Sequence, residues 1–87
     1  MTDTYEEIAA MVQGVHRQDR TGAAALQLLK RVRRAIERDS MNPHTWYTAA
    51  CLYSEPGTEY FNALKSEYCY QKVLEIENAT GVSGASE

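Results

Sequence analysis

The 87-residue sequence predicts an all-α domain. Apolar residues recur at intervals of three and four along four segments, which is the period of an amphipathic helix. The segments are separated by short stretches rich in Gly, Pro, Asp, Ser and Thr, which are typical of turns. A chain of this length is expected to form one domain. We place that domain at residues 1–78 and expect the small, polar residues 79–87 to be a disordered tail.

The first two helices are predicted at about residues 3–15 and 22–39, joined by the connector HRQDRTG. On the first helix, the residues at helical spacing are Tyr5, Ile8, Met11, Val12 and Val15. On the second, one arc is apolar and consists of Ala25, Leu28, Leu29, Val32, Ala35 and Ile36. Most of the opposite side is charged, so the second helix is the most clearly amphipathic segment.

The third helix is predicted at residues 43–53. Asn42 is a favourable N-cap. Pro43 suits the first helical position, because a backbone N–H at that position would have no acceptor within the helix. One face of this helix combines Trp46 and Tyr53 with two alanines. The alanines make the face flat, so another helix can approach it closely.

The fourth helix is predicted at about residues 59–77, because Pro56 and Gly57 interrupt the pattern and Thr58 can cap a new helix. Its apolar residues lie on more than one side of the helical wheel. We therefore expect either that other helices bury it on several sides or that a partner covers one of its apolar faces.

Short connectors favour antiparallel neighbours, so the four helices are expected to form two helical hairpins in tandem. Residues 46–53, WYTAACLY, keep a Trp and a Tyr seven residues apart with two small residues between them. This segment resembles the first helix of a tetratricopeptide repeat, with Ala-Ala in place of Leu-Gly. Ser66, Tyr70 and Val73 resemble the small, aromatic and small positions of the second helix, although Tyr70 lies farther from Trp46 than in the pattern.

The resemblance to tetratricopeptide repeats is moderate over residues 35–78 and weak before them. It implies stacked hairpins with a concave surface that holds a peptide or a protein segment. Trp46, Ala50 and Tyr53 would then hold the hairpins together. The alternative is any other four-helix, all-α packing.

The sequence shows no chemistry of its own. His16 and His44 stand apart from other metal-ligating side chains, and no phosphate-binding loop or catalytic motif occurs. We therefore expect no catalytic, cofactor-binding or metal-binding residues, and not an enzyme. Cys51 and Cys69 are expected to be free thiols. The acidic N-terminal segment is unlike a secretory signal and no run of residues is long and apolar enough for a membrane span. The prediction is a cytoplasmic protein without a membrane partner.

The charge of the chain is unevenly distributed. Residues 16–39 hold seven Lys or Arg against three Asp or Glu, whereas the whole chain has a net charge of −3. Lys30, Arg31, Arg34 and Arg38 on the second helix are therefore candidates for contact with an acidic protein surface or with phosphates. The third interpretation is a solvated basic face without a partner.

The second candidate region is the group of aromatic residues in the fourth helical segment, where Tyr60 and Tyr68 are the predicted contacts. The leading hypothesis is a non-catalytic protein-binding module, such as an adaptor, a chaperone or an inhibitor that covers a partner's surface. The alternative is a nucleic-acid-binding regulator that uses residues 22–39. A homodimer is also compatible with these features.

Overall fold

The computed structural model describes residues 4–19 and 21–80. It contains four helices: α1 (Thr4–Gln18), α2 (Ala23–Arg38), α3 (Pro43–Tyr53) and α4 (Ala63–Thr80). No strand occurs in these residues, so the predicted all-α fold class is confirmed. The last two residues of α4 belong to the predicted tail, whose remainder lies outside the described residues.

The connector between α1 and α2 forms a cap for α2. The Asp19 carboxylate accepts hydrogen bonds from the backbone N–H of Thr21 at 3.0 Å and of Ala24 at 2.8 Å. The Thr21 hydroxyl also donates to this carboxylate. These bonds, led by that of the Thr21 hydroxyl, lower the pKa of Asp19. Gly22 has φ +80°, a backbone conformation that only glycine adopts without strain, so α2 begins directly after it.

The start of α3 is the one that Asn42 and Pro43 predict. The Asn42 side chain accepts the backbone N–H of His44 at 3.0 Å, and Pro43 is the first helical residue. The Trp46 indole N–H donates to the Ser40 carbonyl at 2.8 Å. This bond fixes the connector between α2 and α3 against the first turn of α3.

The predicted start of α4 is wrong. The helix begins at Ala63 instead of residue 59, and its N-cap is Asn62, whose side chain accepts the backbone N–H of Lys65 at 3.0 Å. The backbone N–H of Asn62 also donates to the Tyr53 carbonyl at 2.9 Å, at the end of α3. Asn62 therefore supplies a hydrogen-bond partner to the end of α3 and to the start of α4. The predicted cap Thr58 does neither.

Thr58 belongs to a turn between α3 and α4. Its hydroxyl donates to the Glu55 carbonyl at 3.0 Å, and the turn passes through Gly57 at φ +97°. As a result, Tyr60 and Phe61 lie in the connector and not on the helix.

The helix directions follow from side-chain contacts. Tyr5, near the start of α1, packs against Tyr47 near the start of α3. His16, near the end of α1, lies 3.8 Å from the Glu55 carboxylate just after α3, so the two helices run in the same direction. Trp46 and Tyr68 are in contact, whereas the Lys65 ammonium lies over the ring of Tyr53, so α3 and α4 run in opposite directions. The predicted arrangement as two helical hairpins, and its likeness to tetratricopeptide repeats, stay predictions.

Helix α3 contacts each of the other three helices, whereas the backbones of α2 and α4 do not approach each other within the described residues. The buried apolar residues are Val12 of α1; Ala25, Leu29 and Val32 of α2; Ala49, Ala50, Leu52 and Tyr53 of α3; and Cys69, Val73 and Ile76 of α4. The predicted apolar arc of α2 therefore does face the core. On α4, only the side that carries Cys69, Val73 and Ile76 does so.

The most extensive helix contact joins α3 and α4. Ala50 is fully buried, and the buried Ser66 hydroxyl donates to its carbonyl at 2.9 Å. Small residues on both helices permit this approach. Both cysteines are unpaired, and burial raises the pKa of each thiol.

On the side of the molecule that α1 covers, three tyrosines form a row across the helices. The ring of Tyr47 lies 4.8 Å from that of Tyr5 and 5.5 Å from that of Tyr70, centroid to centroid. The Tyr5 hydroxyl donates to the Glu77 carboxylate and so links α1 to α4. Desolvation, reinforced by neighbouring Cys51 and Tyr47, raises the pKa of Tyr70 to about 12.

We expect Ala50→Leu to lower the free energy of unfolding by about 1–3 kcal/mol, because the added methyl groups must force α3 and α4 apart. Urea unfolding measures the effect. Ala10→Leu is the matched control, because Ala10 is exposed on α1 and this change should stay within about 0.5 kcal/mol. Equal effects of the two variants would contradict the close α3–α4 contact.

The free energy of unfolding should depend on Tyr70 at alkaline pH. The pKa of Tyr70 is raised from 10.0 to about 12, so the folded state keeps a proton that the unfolded state loses. The contribution of Tyr70 is therefore complete below pH 10.0 and is lost as the pH rises towards 12. Denaturant unfolding across this range should show a shallower decline for Tyr70→Phe than for the parent. Identical declines would mean that Tyr70 titrates normally.

Candidate partner-binding groove

A groove of about 310 Å³ runs between α2 and α4, and α3 forms its floor. We call it the α2–α4 groove. Its lining residues are Arg33, Ile36 and Glu37 of α2; Trp46, Ala49 and Tyr53 of α3; and Lys65, Tyr68 and Cys69 of α4. It exists because α2 and α4 both pack on α3 and their described backbones do not meet.

The floor of the groove is apolar. Trp46, Ala49 and Tyr53 lie at positions i, i+3 and i+7 of α3, so they share one face. Ala49 has the smallest side chain of the three and deepens the middle of the groove. Trp46 is half-buried, its indole N–H is bonded to Ser40, and its ring meets that of Tyr68 edge-on at 6.0 Å.

The α4 edge of the groove carries two cations and one aromatic ring. Lys65, Tyr68 and Lys72 lie at positions i, i+3 and i+7, so they follow one side of the helix. The Lys72 ammonium lies 5.5 Å from the centroid of the Tyr68 ring, and the Lys65 ammonium is at the same distance from that of Tyr53. Lys72 also pairs with Glu75 at 3.4 Å, and this hydrogen bond raises the pKa of Lys72. Tyr68 itself is 53% exposed.

The α2 edge of the groove is mixed in charge. Arg33 and Glu37 are exposed and stand one helical turn apart, with half-buried Ile36 below them. Lys30, also exposed, lies one turn before Arg33 on the same side. The edge therefore presents two cations and one anion.

Beyond the groove, the exposed apolar surface continues along the start of α4. Leu64 lies one turn before Tyr68 and is 79% exposed, and Phe61 in the preceding connector is 45% exposed. Apolar groups of this size are costly to leave in water when they are grouped together. Together with the groove, Phe61 and Leu64 therefore form one exposed apolar surface near the start of α4.

The structure separates the predicted contact residues. Tyr68 lines the groove and Lys30 stands beside its α2 edge. Arg31, Arg34 and Arg38 are exposed on the far side of α2, which we call the outer arginine face. In the part of the chain that the structure describes, no carboxylate lies within ion-pair distance of these three arginines.

Tyr60 lies at the opposite end of the molecule from the Trp46 end of the groove. Its hydroxyl is 2.9 Å from the His16 Nε2, and its ring packs against the core, so it is half-buried. Burial, with a smaller effect of Glu55, raises its pKa. In this position Tyr60 joins α1 to the connector before α4, and its predicted role as a partner contact stays a prediction.

Of the nine residues that line the groove, only Tyr68 was among the predicted contacts. The charged residues that sequence reasoning missed at its edges are Arg33, Glu37 and Lys65. Periodicity alone could have grouped Lys65 with Tyr68 and Lys72, because the three share a helical face. No sequence signal could have placed Arg33 opposite them, because that depends on how α2 and α4 sit on α3.

The remaining chemistry of the molecule is limited. Within residues 4–19 and 21–80, no group of three or more His, Cys, Asp or Glu side chains could hold a metal ion. None of the helices in these ranges is long and apolar enough to cross a membrane.

The chain matches no protein-family model, no curated protein and no solved structure.

Proposed function

We propose that this protein is a non-catalytic interaction module that holds an apolar segment of another protein in the α2–α4 groove. The observation that carries the proposal is the pairing of half-buried Trp46 with the exposed ring of Tyr68 along an apolar groove. Ala49 and Tyr53 lie buried beneath them as the floor. Trp and Tyr are the residue types that most often dominate the binding energy of a protein interface.

The shape of the groove supports a protein segment as its ligand. Two helices form the walls and a third forms the floor, which is the arrangement that receives an inserted element in helix-in-groove recognition. Polar and charged groups lie at the edges of the groove and apolar groups at its centre. Protein interfaces commonly have this distribution, with an apolar core surrounded by a polar rim.

The exposed residues next to the groove support the same function. Phe61 and Leu64 would be covered by a partner that extends past Tyr68, and their transfer out of water would add to the affinity. The free protein leaves them exposed, so a partner stabilises a surface that the chain cannot cover with its own described residues. An adaptor, a chaperone or an inhibitor would each use such a surface.

A second candidate function is nucleic-acid binding through the outer arginine face. Arg31, Arg34 and Arg38 lie at positions i, i+3 and i+7, exposed and without a carboxylate at ion-pair distance among the described residues. Such a stripe can follow a phosphate backbone. The net charge of −3 and the absence of interleaved aromatic residues on this stripe favour the protein-binding function.

Tyr68→Ala should weaken binding to the partner by roughly tenfold or more, because it removes an aromatic ring from the centre of the interface. The partner recovered by affinity purification would be titrated by calorimetry. Leu74→Ala is the matched control, because Leu74 is 60% exposed on the same helix but does not line the groove. Unchanged affinity of Tyr68→Ala, with the fold intact by circular dichroism, would reject the groove as the site.

We expect the isolated protein to bind random duplex DNA no more tightly than nonspecific affinities of roughly 10⁻⁴–10⁻⁶ M, as measured by fluorescence anisotropy. Tighter, steeply salt-dependent binding that Arg34→Glu abolishes would establish the second function instead. Arg17→Glu is the control, because Arg17 is exposed at the end of α1, away from the stripe.

A further inference from the structure

We infer that the α2–α4 groove receives one amphipathic helix whose apolar face is flanked on both sides by Asp or Glu. The inference rests on the proposed function and names the chemistry of the partner. It follows from the geometry of the floor and from the charges at the two edges.

The residues on the floor of the groove are spaced along one face of a helix, at positions i, i+3 and i+7. Trp46, Ala49 and Tyr53 cover two turns of α3, a length of about 10 Å. The wall α4 runs opposite to α3, because Tyr68 meets Trp46 at one end and Lys65 lies over Tyr53 at the other. On the α2 wall, Glu37 lines the groove together with Trp46. A straight groove of this length suits an inserted helix with anchors at positions i, i+3 or i+4, and i+7.

A polyproline segment is a poorer fit, although the groove is lined by aromatic rings. Such segments dock between exposed aromatic side chains. Here the rings of Trp46 and Tyr68 meet edge-on at an interplanar angle of 72°, so no slot is open between them. Tyr53 is buried under the Lys65 ammonium and offers little open face.

The edges of the groove define the charge of the partner. Arg33 stands on the α2 edge and Lys65 on the α4 edge, and in the described part of the chain neither has a carboxylate at ion-pair distance. Lys30 and Lys72 extend the two cationic edges. Carboxylates on both flanks of an inserted helix would meet these cations at the partly desolvated rim, where such pairs fix register and orientation.

The acidic residues of the rim orient the partner. Glu75 already pairs with Lys72, which leaves Glu37 as the acidic group facing the groove from α2. It lies near Trp46, at the end where α2 finishes. An inserted helix would therefore present a neutral or basic side chain at that end, and its carboxylates nearer Arg33 and Lys65.

The test is a displayed library of short helices with a fixed apolar face of Leu at i, i+3 and i+7 and randomised flanking positions. Selection on the full-length protein should enrich Asp and Glu on both flanks. A selected peptide should bind at least about tenfold more tightly than its copy with Lys flanks, by fluorescence anisotropy.

Charge reversal supplies the control. Selection on the double variant Arg33→Glu/Lys65→Glu should enrich Lys and Arg flanks instead. The variant Arg31→Glu/Arg38→Glu changes the net charge equally on the outer arginine face, so it should keep the acidic preference. Circular dichroism checks that both variants remain helical.

The outcomes separate the inference from the function on which it rests. Helices that bind without a flank preference, or whose acidic preference survives Arg33→Glu/Lys65→Glu, would overturn the inference only. Selected helices that Tyr68→Ala still binds with full affinity would reject the groove as a binding site and so the proposed function as well. Binding to a second copy of the chain in place of any library member, seen as concentration-dependent sedimentation, would also overturn the inference.

Discussion

The close packing of α3 against α4 is the contact on which the rest of the structure depends. Helix α3 has 11 residues, yet it supplies the packing surface for all three other helices. Ala50 and Ser66 allow the two backbones to approach, and the Ser66 hydroxyl finds its acceptor in the carbonyl of Ala50. A buried hydroxyl without a partner would destabilise the fold, so this hydrogen bond makes the small polar residue acceptable in the core.

The groove is a consequence of that arrangement. Two helices that pack on one short helix from different sides need not meet each other. On the α1 side the gap to α4 is closed, because Tyr5, Tyr47 and Tyr70 form their row and Tyr5 bonds to Glu77. On the α2 side no such row exists among the described residues, and a groove remains beside half-buried Trp46 and exposed Tyr68. This asymmetry, more than the presence of aromatic residues, is the reason for proposing the α2–α4 groove as the binding site.

Sequence reasoning succeeded where local chemistry decides the structure. The amphipathic arc of α2 and the Asn42–Pro43 start of α3 depend on residues close together in the chain, and both are confirmed. The predicted start of α4 was wrong because Thr58 and Asn62 are both possible N-caps. Asn62 is the actual cap, and its backbone N–H also donates to the Tyr53 carbonyl across the connector. That second bond is a tertiary contact, which no local pattern encodes. The same limit applies to the groove, of whose lining only Tyr68 was among the predicted contacts.

Helix α2 serves two surfaces at once, and this shapes what a partner can do. Its buried residues hold it to α3, Arg33 and Glu37 face the groove, and the outer arginine face points away. A helix inserted in the groove reaches Arg33, which lines it, whereas Arg34 is turned farther from the groove and does not line it. The outer arginines would therefore influence such a partner mainly at long range, by steering its acidic flanks during encounter, and this influence would weaken as salt rises. Apolar contacts with half-buried Trp46 and exposed Tyr68 would persist in salt, because salt screens charges and does not weaken apolar burial.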